Sequence, residues 1–290
     1  MIRKPFTLTF PSGAVASRIR VGDLSELPVA LGRIGLEQSR PTLVLVGGAN
    51  LLPDGDREEL RALFTSVLAP TAERLGLYVV DGGTHAGIMS LMGEARAAIK
   101  ASFPLVGVAA IGTVALPTQA VDPKDAELLA LLEPHHTHFV LVPGSSWGDE
   151  AMWISQVAGT LADHLPSITV LVNGGEVTWL DARCSIEANR PILVLEGTGR
   201  TADAIAAGVR GELTDLRVGN LVASGLVRVV DVVDNESGPK ALAEAIEEHL
   251  DGRSTKDDGR KMVDDEVELA VAIEEQLSGK GEKDGAENLV

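Results

Sequence analysis

The feature that most constrains this chain is a rhythm. From Pro41 onward, short aliphatic runs alternate with longer amphipathic stretches. The runs are TLVLV (42–46), LYVV (77–80), PLVGVAAI (104–111), HFVLV (138–142), ITVLV (168–172), PILVL (191–195) and LVRVVDVV (226–233). Segments apolar on both faces suit parallel strands covered by helices on both sides. Helical periodicity falls between them, over 56–75, 85–100, 149–164, 200–209 and 238–250. The alternation predicts an α/β protein with a doubly wound, mainly parallel sheet and helices on both faces. At 290 residues and 45% hydrophobic composition, the chain can bury one large core. Aromatics make up only 3%, so that core is aliphatic.

The flanks read differently. Residues 6 to 21, FTLTFPSGAVASRIRV, alternate around a Pro-Ser-Gly turn and predict a β-hairpin or sheet edge. LPVALGRIGL follows as a short helix, giving an N-terminal extension over 1–40 beside a main body over 41–250. Residues 251–290 carry twelve acidic and six basic side chains, which predicts a solvated, partly disordered tail. Within it VDDEVELAVAIEEQL spaces Val263, Val267, Ala270, Val271 and Leu277 as an amphipathic helix would, a candidate handle for an effector partner.

A formal charge of −17 argues against sequence-independent nucleic-acid binding, which needs a basic surface. One cysteine, Cys184, excludes an intrachain disulfide. No apolar run reaches the roughly 18 residues of a membrane span, and MIRKPFTLTF has no signal-peptide core, so a cytoplasmic protein without membrane insertion is expected.

Five of the aliphatic runs end directly in glycine-bearing loops: Gly47-Gly48 with Asn50, Gly82-Gly83, Gly144-Ser145, Gly174-Gly175 and Gly197-Thr198-Gly199. In a parallel sheet these loops share one edge, the edge at which open α/β folds bind ligands. Helix N-termini there present unpaired N–H groups and a positive dipole end, which favours an anion such as phosphate. Turn geometry alone accounts for any single glycine pair; five on one edge favour a ligand site. Neither GxxxxGK[ST] nor GxGxxG occurs in these loops.

Three ordered blocks, DGGTHAGIMSLMGEA, HTHFVLVPGSSWGDE and PILVLEGTGRTADAIA, resemble the SLOG superfamily. They are similar in particular to prokaryotic relatives of the N-terminal domain of melastatin-type TRP channels, over roughly Thr42 to Ala207. The resemblance implies a Rossmann-like domain that senses a nucleotide-derived ligand, ADP-ribose, NAD or a relative, with no required cofactor and no channel pore. It also implies that Arg200, in the position of the channel domains' GSGR arginine, contacts ligand. The superfamily includes lonely-guy-type phosphoribohydrolases, with motifs GGGxxGLMG and PGGxGTxxE, whose dimeric habit extends the expectation of a homodimer here. Gly82, Gly83, Gly87, Met89 and Gly93 approximate the first motif. PGSSWGDE only echoes the second: Ser145 replaces a glycine, Glu150 falls one residue short, and upstream LLEPHHTH lacks the enzymes' arginine. Binding is therefore expected ahead of hydrolysis of an N-glycosidic bond, and no catalytic residue is assigned.

Each candidate has a plainer role beside it. Thr84 is placed to cap the helix after Gly83 or to meet a phosphate, and His85 to donate to the same anion. Arg200 lies near a helix start, where a cation is unfavourable unless an anion faces it. Glu150 suits a ribose hydroxyl or, with Asp149, the helix dipole. His135, His136 and His138 precede a strand without a completing carboxylate set, so packing is expected there and no metal. Trp147 and Trp153 are candidates to flank a base, one of them more simply a core residue.

Overall fold

The computed structural model describes residues 4–48, 54–117, 129–212, 215–232, 234 and 237–250. Asn50 and the tail over 251–290, with its expected helix and effector contact, lie outside the described residues. One compact unit runs from Met1 to Leu250.

The chain opens with β1 (Phe6–Thr9), β2 (Val15–Arg20) and α1 (Leu27–Arg33), then enters β3 (Thr42–Gly47). Next come α2 (Asp54–Leu63), a π-helical stretch over Phe64–Leu68, α3 (Ala69–Leu75), β4 (Tyr78–Asp81), α4 (Gly87–Ala98) and β5 (Leu105–Ala110). A minor pair follows, β6 (Val114–Ala115) and β7 (Ala130–Leu131), before β8 (His138–Val142) and α5 (Ala151–Ala162). The chain continues through β9 (Ser167–Val172), α6 (Glu176–Glu187), β10 (Ile192–Glu196), α7 (Arg200–Val209), α8 (Leu216–Ala223), β11 (Val227–Asp231) and α9 (Gly238–Leu250).

Every aliphatic run becomes a strand of one sheet, ordered β1-β2-β8-β5-β4-β3-β9-β10-β11. Only the β1–β2 hairpin pairs antiparallel; β2 docks parallel on β8, so the N-terminal segment completes the sheet edge. Alternate side chains feed two layers, as the period of a strand dictates. Leu43, Leu45, Val79 and Leu105 pack under α3, α4 and α9, whereas Val44, Val46, Val80 and Val106 pack under α1, α5 and α7. Leu8, Phe10, Phe139 and Leu141 form a smaller cluster beneath the hairpin. Each such buried aliphatic contributes about 1.5–3 kcal/mol against solvent exposure.

The strand order locates the ligand edge. From β3 the chain steps outward through β4, β5 and β8, then returns to the other side of β3 for β9, β10 and β11. The order reverses between β3 and β9, which pair from Thr42↔Ser167 to Gly47↔Val172. Open α/β sheets leave a crevice at the carboxyl ends of such a pair.

Two local readings are corrected. The helix expected over 85–100 starts at Gly87 with Ala86 as its N-cap, so Thr84 caps nothing. Residues 84 and 85 are instead held by the segment before β8: Thr84 forms a β-bridge with Leu132, and His85 donates its N–H to the Leu131 carbonyl at 2.7 Å. Helices α6 and α8 were not expected. The buried positions of α6 include Thr178, Asp181 and Ser185, a helical spacing of polar residues that gives no apolar stripe.

Candidate functional site

A cleft of about 350 Å³ opens where the strand order reverses. Its floor is the end of β3, Leu45 to Gly48, and the turn after β4, Gly82 and Thr84. Ala109 and Thr113 after β5, and Trp147, Glu150 and Ile154 around the start of α5, form one side. Gly175 to Thr178, Asp181 and Arg200 form the other. The volume is within the usual range for a small organic ligand. Glu176 and Val177 are the first residues of α6, so the positive end of that helix dipole is turned into the cleft.

Of the residues expected to bind, Gly47, Gly48, Gly82, Thr84, Glu150, Gly175 and Arg200 line this cleft. Gly83, His85, Gly87, Gly144, Ser145, Gly174, Gly197, Thr198 and Gly199 belong to the same edge but do not line it. Most of their loops are closed on themselves. Gly83 gives its N–H to Asp81 at 2.7 Å, Gly174 to Asn173 at 2.7 Å, and Gly197 to Asp203 at 2.8 Å. Ser145 and Ser146 both donate to the Asp149 carboxylate, at 2.9 and 3.0 Å, and these bonds hold that carboxyl below its ordinary range. Thr198 accepts the Asn173 N–H at 2.7 Å and ties two neighbouring loops together. An acidic or amide side chain thus caps several of the turns that glycine makes, and those donors are already engaged. Gly47 answers to a different need: a Cβ there would lie 2.0 Å from the Val172 carbonyl oxygen of the adjacent strand.

Arg200 opens α7 with φ of 52°, a left-handed conformation that non-glycine side chains rarely adopt. Its guanidinium lies over Gly175, 3.2 Å from where a Cβ on that residue would stand. It has no acidic partner among the described residues, although Arg210 pairs with Glu196, and Arg217 with Glu176 and Asp215. Near a helix N-terminus an unpaired guanidinium is electrostatically misplaced until an anion joins it.

The cleft also holds two buried carboxyl groups. Glu150, the N-cap of α5, accepts the Gly148 N–H at 3.1 and 3.2 Å, and burial raises its pKa. Asp181 is 8% exposed, and its Oδ1 has no hydrogen-bond partner among the described residues. Burial, and then the Glu150 charge, push its pKa up to about 8. Sequence reading missed Asp181, because nothing in GGEVTWLDARCS marks it as facing inward. Trp147 stands half-exposed beside the cleft, whereas Trp153 is a core residue.

Behind the floor lies a second polar group. His136 is fully buried, with Nε2 2.8 Å from Asp81 and Nδ1 2.8 Å from Glu133. The desolvation that opposes its charge is overcome by the two carboxylates, which raise its pKa to about 9. Glu133 also meets His135 Nδ1 at 2.6 Å, and its N–H reaches the Gly83 carbonyl at 3.0 Å. The histidines therefore pack the strand entry and brace the 82–84 turn. Burial lowers His138 to about 4, so it is neutral. Among the described residues no cluster of three His, Cys, Asp or Glu side chains suits a metal ion.

Comparison with known proteins settles the family. A family model described as "SLOG in TRPM, prokaryote" matches residues 40–240, which span β3 to β11 and every wall of the cleft. The chain belongs to that family. Among curated proteins, this SLOG chain is 26% identical over 204 residues to mouse transient receptor potential cation channel subfamily M member 2, covering 59% of the chain and 13% of the channel. The rat protein of the same name is 25% identical over 204 residues, with the same coverage. The subfamily M member-like 2 protein of Nematostella vectensis is 24% identical over 215 residues, covering 62% of the chain and 14% of that protein. The SLOG chain thus spans a small part of these channels' length, and no helix among its described residues is long and apolar enough to cross a membrane.

Proposed function

We propose that this SLOG protein binds a nucleotide-derived ligand, ADP-ribose or an NAD-related molecule, in the cleft between β3 and β9, and acts as a sensor of it. The observation that carries this reading is Arg200: a guanidinium without a carboxylate partner, in a left-handed backbone conformation, against Gly175 at the wall of the cleft. A phosphate there meets the guanidinium bidentately and sits at the positive end of the α6 dipole. Gly175 leaves room for the guanidinium at the cleft wall, since a side chain at that position would press on it. The half-exposed Trp147 supplies a face for a base to stack on.

Hydrolysis of an N-glycosidic bond is the second reading, favoured by Glu150 and Asp181, two carboxyl groups whose raised pKa values suit a general acid. One experiment separates the two. The full chain is melted with ADP-ribose, NAD, AMP or no addition, and each sample is then run on HPLC. A ligand bound only by the folded state raises the melting temperature. Stabilisation with the nucleotide recovered whole supports the sensor. Free base or ribose 5-phosphate in the eluate makes the protein an enzyme, and no shift with any of the three nucleotides overturns the nucleotide reading.

A further inference from the structure

Helices α5 and α6 pack side by side, and each brings a carboxyl group to the cleft. Glu150 stands at the head of α5 and is already supplied with a donor, the Gly148 N–H. Asp181, in the second turn of α6, is more than nine-tenths buried, lines the cleft, and has a carboxyl oxygen without any donor among the described residues. Folded chains keep few buried polar atoms unsatisfied, and those they keep at a cleft wall await a partner.

We propose that Asp181, together with Glu150, receives the vicinal hydroxyls of a ribose and so makes the site select ribonucleotides over their 2′-deoxy counterparts. The inference rests on the nucleotide reading above and assigns a second anchor to it. Gly175, against which Arg200 lies, precedes Asp181 by six residues, a rise of about 9 Å along α6, so the phosphate anchor lies beside the start of that helix and this carboxyl farther along it, both lining the cleft. One ribose phosphate bridges such a separation with its charged end at the helix start and its hydroxyls inward.

The chemistry of the pair favours hydroxyls over the other donors a ligand could offer. Two neighbouring buried carboxyl groups do not ionise together, and burial and the Glu150 charge keep Asp181 neutral at pH 7. A metal ion calls for both to be ionised, and an ammonium group or an exocyclic amine only donates, which leaves the proton of the neutral acid without an acceptor. A hydroxyl donates to the ionised carboxylate and accepts from the neutral acid, so a diol satisfies a pair that holds one proton.

The test is calorimetric titration of the full chain with ADP-ribose and 2′-deoxy-ADP-ribose, in the parent and in the D181A, E150Q and R200A variants. The parent should bind the ribo form at least about tenfold more tightly, as sites built around a substrate hydroxyl do. D181A, which removes both the donor and the acceptor of this side chain, should bring the two affinities within about threefold, while R200A weakens both and leaves their ratio intact. E150Q gives the same readout should D181A fail to fold. Equal binding of both probes by the parent, or an undiminished ratio in the carboxyl variants, overturns the role of Asp181 and leaves the nucleotide reading standing. Binding of neither probe by folded parent protein overturns both.

Discussion

Gly83 and Gly107 approach each other backbone to backbone: a Cβ on Gly83 would lie 2.8 Å from the Gly107 Cα, and one on Gly107 2.6 Å from the Gly83 Cα. The Phe139 ring closes the same space at 3.0 Å from the Gly83 position. Gly83 also has φ of 67° and gives its N–H to Asp81. These contacts explain this glycine without any ligand. Gly83→Val should therefore lower stability by about 3 kcal/mol or more, combining overpacking with a left-handed side chain. Urea denaturation checks it; a midpoint equal to the parent's would mean that the turn relaxes freely.

The central strands were legible because β3, β4, β5, β8, β9 and β10 are buried on both faces or nearly so, and burial on both faces leaves uninterrupted aliphatic runs. The reversal of strand order was not legible, since β8 and β9 look alike in sequence. Glycine marked the correct edge but not the cleft itself. Gly144, Gly174 and Gly197 turn the chain, and their loops are capped by Asp149, Asn173 and Asp203. Helix α6 escaped notice for a physical reason. Its inward face, Thr178, Asp181 and Ser185, is polar because part of it lines the cleft, and a polar buried face cancels the periodicity that reveals a helix. The residue with the most unusual environment thus sat on the element hardest to foresee.

His136 gives the protein a pH dependence on the alkaline side. Asp81 and Glu133 face it directly, while His135 and Arg96 act on Glu133 and no other charged group contacts the ring among the described residues. Its pKa rises from 6.5 to about 9 on folding, so the stabilisation is fully present below pH 6.5 and is lost as pH climbs through 9. His136→Gln should cost about 3 kcal/mol at neutral pH by leaving two buried carboxylates without their cation, and should flatten that alkaline fall. Denaturation midpoints between pH 6 and 10 in both proteins measure it. Parallel curves would remove His136 as the cause.

Asp181 weakens the fold at neutral pH where His136 stabilises it, although both make stability fall as pH rises. Its acid is held up near 8 against an ordinary 3.8, so the folded state keeps a proton that the unfolded chain has released, and stability declines as pH rises from about 4 to 8. Asp181→Asn removes that penalty. The variant should be more stable than the parent by about 1–3 kcal/mol at pH 8, with the gap closing toward pH 4. A site residue that weakens the fold is what retention for binding entails. The decisive comparison is thermal unfolding of both proteins at pH 4.5 and pH 8; an Asn variant less stable at pH 8 would mean that Asp181 holds the fold together through a contact of its own.

Arg200 separates phosphate recognition from the rest of the site. AMP and adenosine differ by one phosphate, so the ratio of their affinities isolates what the guanidinium and the α6 dipole contribute. A charge-assisted pair is worth about 1.5–3 kcal/mol, which corresponds to roughly 10- to 100-fold in affinity. The parent should prefer AMP by that factor, and Arg200→Ala should reduce the preference to about threefold, the remainder coming from the helix terminus. Raising salt should erode the parent's preference by more than the variant's, whose remaining helix-terminus contribution is smaller but also screened. The backbone provides an internal control for folding. Because φ at this position is 52°, Arg200→Gly relieves a left-handed side chain and should melt no lower than the parent. Weaker AMP binding at undiminished melting temperature in the Gly variant assigns the loss to the guanidinium, and an AMP affinity equal to the parent's in both variants would remove Arg200 from the site.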